Sequence, residues 1–445
     1  MKLHIKGGRV LMPADALASG SASGATPGAT SISHVERQAD VFIADGLIVG
    51  IATAPADFQA DRVLDASGLS VAPGLVDLSV RLREPGNEYK ATLASELSAA
   101  LAGGVTSVVC PPDTDPVLDE PGLVEMLKFR ARQLQQAHVY PLGALTVGLK
   151  GTTLSAMRQL TEAGCIGFAQ AEVPVIDTRV LWQALLYAST YGYTVWLRPQ
   201  DPYMSRGGVA ASGAVASRLG LPGIPGAAET IALQTILELV RITGARVHLQ
   251  HLSTASGIAL VRAAKHEGLP LSCDVTINHL HLIDADIAYF DAQYRLEPPL
   301  RTQRDRDAIH AGLLDGTIDA ICSGHTPLDD DQKLLPFGEA APGASGLELL
   351  LSLTVKWAQE ARVPLAQALA YVTRAPAAVL GLPLGRLELG AAADLCVFDS
   401  QAYWTVEPGA LRSQGRNTPF KGYELPARVR ATVLDGRVVF EQAGQ

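Results

Sequence analysis

Long apolar runs are missing from these 445 residues. No stretch approaches the roughly 18 residues that a membrane-spanning helix needs. Cysteine is scarce: Cys110, Cys165, Cys273, Cys322 and Cys396 are an odd number, far apart, with no Cys-x-x-Cys pair. That excludes a disulfide framework and a zinc knuckle and fits small buried residues of a reducing compartment. Aromatics are only 5% and charged residues 18%, with 36 Lys and Arg against 45 Asp and Glu. The net charge of -9 excludes a general binder of nucleic acids or anionic membranes. The N-terminal MKLHIKGGRVLMPAD alternates like a strand and lacks a signal-peptide core, so a cytoplasmic location is expected. What is plentiful is Ala, Gly, Leu and Val, at 48% hydrophobic residues overall, enough for one large domain and a smaller one.

The apolar pattern divides the chain. Lys2 to Leu11 and Val41 to Ile51 read as strands, the second broken by the hairpin dipeptide Asp45-Gly46. Between them, Ala14 to Ser33 is rich in Ala, Ser, Gly and Thr and reads as a mobile surface insertion. From Val71 onward, β-rich runs alternate with helical stretches. The runs are Gly74 to Val80, Val105 to Cys110, Val139 to Leu145, Ile166 to Ala169, Thr194 to Leu197, Arg246 to Leu252, Leu269 to Val275 and Ile318 to Cys322. Eight such units predict an α/β chain folded as a (β/α)8 TIM-like barrel over 71–379. A doubly wound sheet is the less favoured alternative, since no Gly-x-Gly-x-x-Gly follows the first strand. Asp394 to Phe398 and Val429 to Val439 return to strands, so a small β-sandwich domain is expected from 1–70 and 380–445 together.

Barrels carry their chemistry at the carboxyl ends of the strands. There the chain shows Pro73-Gly74-Leu75-Val76-Asp77, Leu82-Arg83-Glu84-Pro85-Gly86, Thr114-Asp115-Pro116, His251-Leu252-Ser253-Thr254 and Pro298-Pro299-Leu300-Arg301. Further along come Asp315 to Ile321, Lys333-Leu334-Leu335-Pro336-Phe337 and Gly346-Leu347-Glu348. Over nearly its whole length the chain resembles the dihydroorotases of the cyclic amidohydrolase group. The resemblance implies divalent cations that activate water, held by a His-x-His pair on strand one, a carboxylate or modified lysine on strand four, histidines on strands five and six, and an aspartate on strand eight that also shuttles the proton.

The residues at those positions depart from that pattern. The His-x-His positions are Ser79 and Arg81, the strand-four bridge is Gln170, the strand-five histidine is Arg198, and the strand-eight aspartate is Gly324. Only His251 keeps its ligand type, one position of six. A catalytic zinc wants about three protein ligands plus water, and the guanidiniums of Arg81 and Arg198 only donate hydrogen bonds and stay charged. Of the substrate-binding positions, Arg83 matches the family's carboxylate-binding arginine, whereas Asp113, Glu297 and Leu328 replace two asparagines and a histidine. His325, beside the lost aspartate, and His248 read as packing, the His279-Leu280-His281 pair as a loop or second-layer element, and Asp329-Asp330-Asp331 as a solvated loop. Arg81, Arg83 and Arg198 are expected to pair with Asp113, Glu172, Asp201 or Glu297; an anion site built from the three is the sharper alternative.

The expectation is therefore a chain with no bound metal or cofactor and no catalytic residues: not an enzyme but a degenerate homologue. The resemblance extends to the non-catalytic dihydroorotase-like chains that accompany the catalytic chain of aspartate carbamoyltransferase in some bacteria. It implies a partner of that kind, with a homo-oligomer inside a larger hetero-complex and no nucleic-acid or membrane partner. The alternative is an active dihydroorotase or other cyclic amidohydrolase with a rebuilt site. That site would be zinc-dependent through other ligands, or metal-free through Arg81, Arg198 and His251.

Overall fold

The computed structural model describes residues 1–13 and 34–442; the insertion expected at Ala14 to Ser33 lies outside the described residues. The chain opens with strands β1 (Lys2–Pro13), β2 (His34–Ala44), β3 (Leu47–Ile51), β4 (Arg62–Asp65) and β5 (Ser70–Pro73). It continues through β6 (Leu75–Asp77), β7 (Val105–Cys110), β8 (His138–Pro141), β9 (Gly143–Ala144), β10 (Phe168–Ala169) and β11 (Thr194–Leu197). A short outlying pair, β12 (Ala210–Ala211) and β13 (Gly223–Ile224), precedes β14 (Arg246–Leu249), β15 (Leu271–Thr276) and β16 (Ala320–Cys322). Two long strands, β17 (Leu395–Thr405) and β18 (Glu424–Leu434), are followed by the shorter β19 (Arg437–Glu441).

Strands from both termini form one sheet, ordered β19-β18-β17-β5-β1-β2-β3, with β4 alongside β1. It is antiparallel except where β4 and β5 run parallel to β1. Its inner face buries Leu3, Ile5, Val41, Ile43, Ile48, Leu395, Val397 and Val433. The alternation read in the terminal segments is this half-buried pattern.

The middle of the chain is the barrel. β6-β7-β8 and β9-β10-β11-β14-β15-β16 are two parallel arcs. The apolar run Val139 to Leu145 is split at Pro141-Leu142, so that β8 ends the first arc and β9 begins the second. The ring closes where Val80 pairs in parallel with His325: Arg81 N donates to His325 O, and His325 N to Ser79 O. Leu78, Val109, Leu142, Ala169, Trp196, Ala320 and Cys322 fill the interior, making it a packed core rather than a pore. Helices including Leu93–Ala102, Thr178–Tyr191, Ala227–Thr243 and Ala255–His266 surround it. Among the described residues no helix is long and apolar enough to cross a membrane.

Candidate active site

The strand tips are held by polar contacts that fix their side chains. After β14, Glu229 accepts from the backbone and hydroxyl of both Ser253 and Thr254 at 2.6–3.0 Å. Thr254 in turn caps the helix Ala255–His266 by accepting from Gly257 N at 2.9 Å. That anchors the turn on which His251 sits, with a left-handed φ of 55°. At the end of β6, the carboxylate of Asp77 accepts from Ser79 N at 3.2 Å and Ser323 N at 3.0 Å. Burial raises the Asp77 pKa to about 6.

At the mouth, five charged groups interlock. Arg81 Nε donates to Asp113 at 2.7 Å, its Nη2 to Glu172 at 2.8 Å and its Nη1 to Thr326 at 3.0 Å. Arg198 pairs with Glu172 through Nε and with Glu297 through Nη2 at 3.3 Å. Glu172 thus bridges two guanidiniums. Burial opposes its ionisation, yet Arg198 and Arg81 outweigh that and pull its carboxyl down to about 2. Burial likewise works against the Arg81 charge, and Asp113 and Glu172 more than offset it, so its pKa lies above the ordinary value. Arg83 stands apart. Its Nε donates to Pro327 O at 2.9 Å, and burial, then the charge of Arg81, lowers its pKa to about 10. Among the described residues no carboxylate lies within ion-pair distance of Arg83, and Asp201 pairs with none of the three arginines.

Below this layer, His251 Nε2 and Ser79 Oγ are hydrogen-bonded at 3.1 Å, and His251 Nδ1 is buried without a partner. Burial lowers the His251 pKa, leaving the ring neutral at pH 7. Its charged neighbours are Asp274, Glu172, Arg81 and Arg198. The pair is a base beside a nucleophile in the tautomer that carries its proton on Nδ1 and leaves Nε2 to accept from Ser79 Oγ. Gln170 does not reach this pair; its amide accepts from Thr146 Oγ1 at 2.9 Å and donates to Leu149 O at 2.8 Å. A cavity of about 120 Å³ opens beside Arg198 and Gln170, lined also by Leu197, Asp201, Tyr203 and Ile231.

The remaining histidines are built into the scaffold. His325 Nε2 donates to Glu96 at 2.6 Å while Nδ1 accepts from Gly346 N and Leu347 N. His279 lies between Thr276 Oγ1 and Pro299 O, and His281 Nε2 donates to Leu353 O. Burial drops both to about 4. His248 and Asp274 form a fully buried pair at 2.9 Å.

Two groupings are absent from the sequence reading. Ser79 and His251 stand 172 positions apart and meet only because strands one and six converge. His251, Asp274 and Cys322 place one ligand atom each within 4.8 Å of one another. Sequence offered one signal for both, that each residue stands at or near the end of a barrel strand. The divalent cations the fold family implies do not fit the six strand-tip positions. Two guanidiniums occupy the space, and the carboxylates that converge there are already engaged by them. In the group of three, Asp274 already accepts from His251 N at 2.7 Å and from His248 Nε2, and burial keeps the Cys322 thiol protonated. The charged groups that converge at this mouth are the chain's own side chains, paired with one another.

A closed parallel barrel with reactive groups at its strand tips and a sheet made by both termini defines an amidohydrolase-type protein. L-hydantoinase from Arthrobacter aurescens superposes with a TM-score of 0.85 at 21% identity, over 99% of this chain and 96% of that one. The family descriptions Dihydro-orotase-like and Amidohydrolase family match residues 68–256 and 347–440. The chain is 43% identical over 441 residues to the "Dihydroorotase-like protein" of Pseudomonas aeruginosa, spanning 99% of this chain and 100% of that one. It is 38% identical over 444 residues, 100% of both chains, to the "Dihydroorotase" of Geobacter sp. strain M21. The chain belongs to the dihydroorotase-like family of cyclic amidohydrolases. Full-length relatives bearing an enzyme's name correct the expectation that the chain is a degenerate homologue and not an enzyme. Loss of the family's ligands is not loss of all reactive groups, and the Ser79–His251 contact is the physical reason.

Proposed function

We propose that this chain is a cyclic amidohydrolase with a rebuilt site, acting on a small cyclic amide that carries a carboxylate, of the dihydroorotate type. The observation that carries the reading is the Ser79–His251 hydrogen bond at 3.1 Å among the charges of Arg81, Arg198 and Glu172. In this scheme Ser79 Oγ attacks the ring carbonyl as its proton passes to His251 Nε2. The C–N bond breaks, the ring nitrogen takes that proton, and the acyl group on Ser79 is released by water with His251 again as base. Both residues are buried, so a substrate reaches them only when side chains of the mouth move. A substrate carboxylate competes with Glu172 for Arg81 and Arg198, or pairs with Arg83.

The test is turnover of dihydroorotate, and ring closure of carbamoyl aspartate, by chelator-treated protein and by Ser79→Ala and His251→Ala. Turnover that survives chelation and falls at least 100-fold in both variants is expected, the usual scale for losing a base or nucleophile. Absence of turnover with and without added zinc overturns the reading. Turnover that appears only with zinc overturns the serine–histidine scheme and favours a metal site instead. We also propose, from the family resemblance, that the chain associates with the catalytic chain of aspartate carbamoyltransferase. Separate elution of the two chains at micromolar concentration overturns that association.

A further inference from the structure

At the opposite end of the barrel, three potential ligands from three elements converge. His138 opens β8, Asp394 immediately precedes β17, and Asp435 lies in the turn between β18 and β19. His138 Nε2 is 3.5 Å from Asp394 Oδ2 and 3.5 Å from Asp435 Oδ1, and all three ligand atoms fall within 4.8 Å of one another. Both distances exceed the usual N–H···O range of about 2.7–3.2 Å. They match the edge of a tetrahedron, about 3.4 Å, around an ion with bonds of about 2.1 Å.

The surroundings fix these groups, whose ion-pair partners among the described residues are one another alone. Asp394 Oδ1 accepts from Asp435 N at 2.8 Å, which ties the turn to the start of β17 and leaves Oδ2 facing the imidazole. Among the described residues no lysine or arginine lies within ion-pair distance of Asp394 or Asp435, although Lys128 and Arg132 line the same groove. The side chain of Asp394 is 10% exposed, that of His138 31% and that of Asp435 64%, so the cluster is rooted in the protein and open on one side. The groove, about 870 Å³, gives an ion and its remaining water ligands a way in. One imidazole and two carboxylates suit zinc and its neighbours in the first transition row, and an imidazole disfavours calcium and magnesium.

We propose that His138, Asp394 and Asp435 form a binding site for a zinc-type divalent cation that clamps the barrel to the terminal sheet. It lies apart from the strand-tip residues of the candidate active site. The clamp holds the N-terminal end of β8 to two points on the sheet, so its occupancy stabilises the packing of the two units.

The test is equilibrium binding of zinc chloride to the chelator-treated full-length protein, together with thermal unfolding. Wild type is expected to bind one equivalent at the seam and to melt higher with zinc present. His138→Ala is expected to lose that equivalent and the thermal shift. Asp435→Asn alters only an exposed side chain and should leave the fold intact, while weakening binding at least tenfold. Failure of wild type to bind zinc overturns the proposal. So does a zinc stoichiometry and affinity unchanged in both variants, which places any bound ion elsewhere, including at His251, Asp274 and Cys322.

Discussion

Replacing Glu172 with glutamine removes one charge from the centre of the mouth while keeping the side chain's shape. Among the described residues, Arg81 and Arg198 then keep only Asp113 and Glu297 as acid partners. A carboxyl pulled from 4.5 to about 2 favours its ionised form in the folded state by about 3 kcal/mol. The Glu172 side chain is 31% exposed, so solvent screening trims this toward 2 kcal/mol. Leaving two buried guanidiniums undercompensated acts in the same direction. Glu172→Gln is therefore expected to lose about 2–3 kcal/mol at pH 7, read by urea denaturation. The sign with pH follows from the depressed pKa. The contribution is fully present above the unfolded value of 4.5 and is lost as pH falls toward 2, so wild type and variant converge over that window. A variant within about 0.5 kcal/mol of wild type at pH 7, or a gap that does not narrow below pH 4.5, refutes the bridging role.

Gly324 sits at a left-handed φ of 61°, and a Cβ there meets Thr276 Cγ2 at 3.0 Å. Restoring the family aspartate with Gly324→Asp should therefore cost about 1–2 kcal/mol, and an unchanged denaturation midpoint would contradict this. Asp274→Ala strands the His251 amide and the His248 ring and should cost about 3–5 kcal/mol, with Asp274→Asn milder; equal small losses would show that the buried pair is not structural. Burial, against hydrogen bonds from Ser413 and Arg412, raises the Glu348 pKa to about 7. Its contribution is full below the unfolded 4.5 and is lost as pH rises through 7, so Glu348→Gln should flatten the stability profile over that range; a parallel profile would refute the assignment. A small dicarboxylate should raise the melting temperature of Glu172→Gln more than that of wild type, because it replaces the missing counter-ion; equal shifts would place anion binding elsewhere.

The barrel was legible because its strands are continuous apolar runs bounded by turns. Val105–Cys110 and Thr194–Leu197 coincide with their sequence spans, since a strand buried on both faces needs no alternation to be recognised. Ends were less legible. The run Gly74 to Val80 contains only a three-residue strand, because the ladder breaks at Leu78 and Ser79 before Val80 and Arg81 resume pairing with Val109 and His325. The split at Pro141-Leu142 was hidden too, because both halves are equally apolar and the break reflects which neighbour each half pairs with. At the site, the sequence exposed which ligand types were gone, since that is a matter of position along a motif. What replaced them was not visible. The Ser79–His251 contact and the Glu172 bridge depend on closure of a ring between distant segments, and no local pattern records that closure.

Glu172 explains how a strand-tip site can change its charge chemistry without losing its fold. Gln170, at the position of the family's bridging ligand, turns away to Thr146 and Leu149, and Glu172, two residues on, takes the space between the strands. There it faces Arg81 from strand one and Arg198 from strand five, the same two strands that a bridged metal pair would join. A carboxylate between two guanidiniums satisfies the electrostatics that a carboxylate between two cations satisfies, but with counter-charges covalently fixed to the chain. The consequence is directional. A divalent ion entering this layer meets two permanent positive charges and finds its carboxylates taken, whereas an anion meets two guanidiniums whose shared partner, Glu172, it has to displace. The replacement thus trades a layer whose charge suits cations for one whose positive charge is fixed to the chain, with the Ser79–His251 contact beneath it.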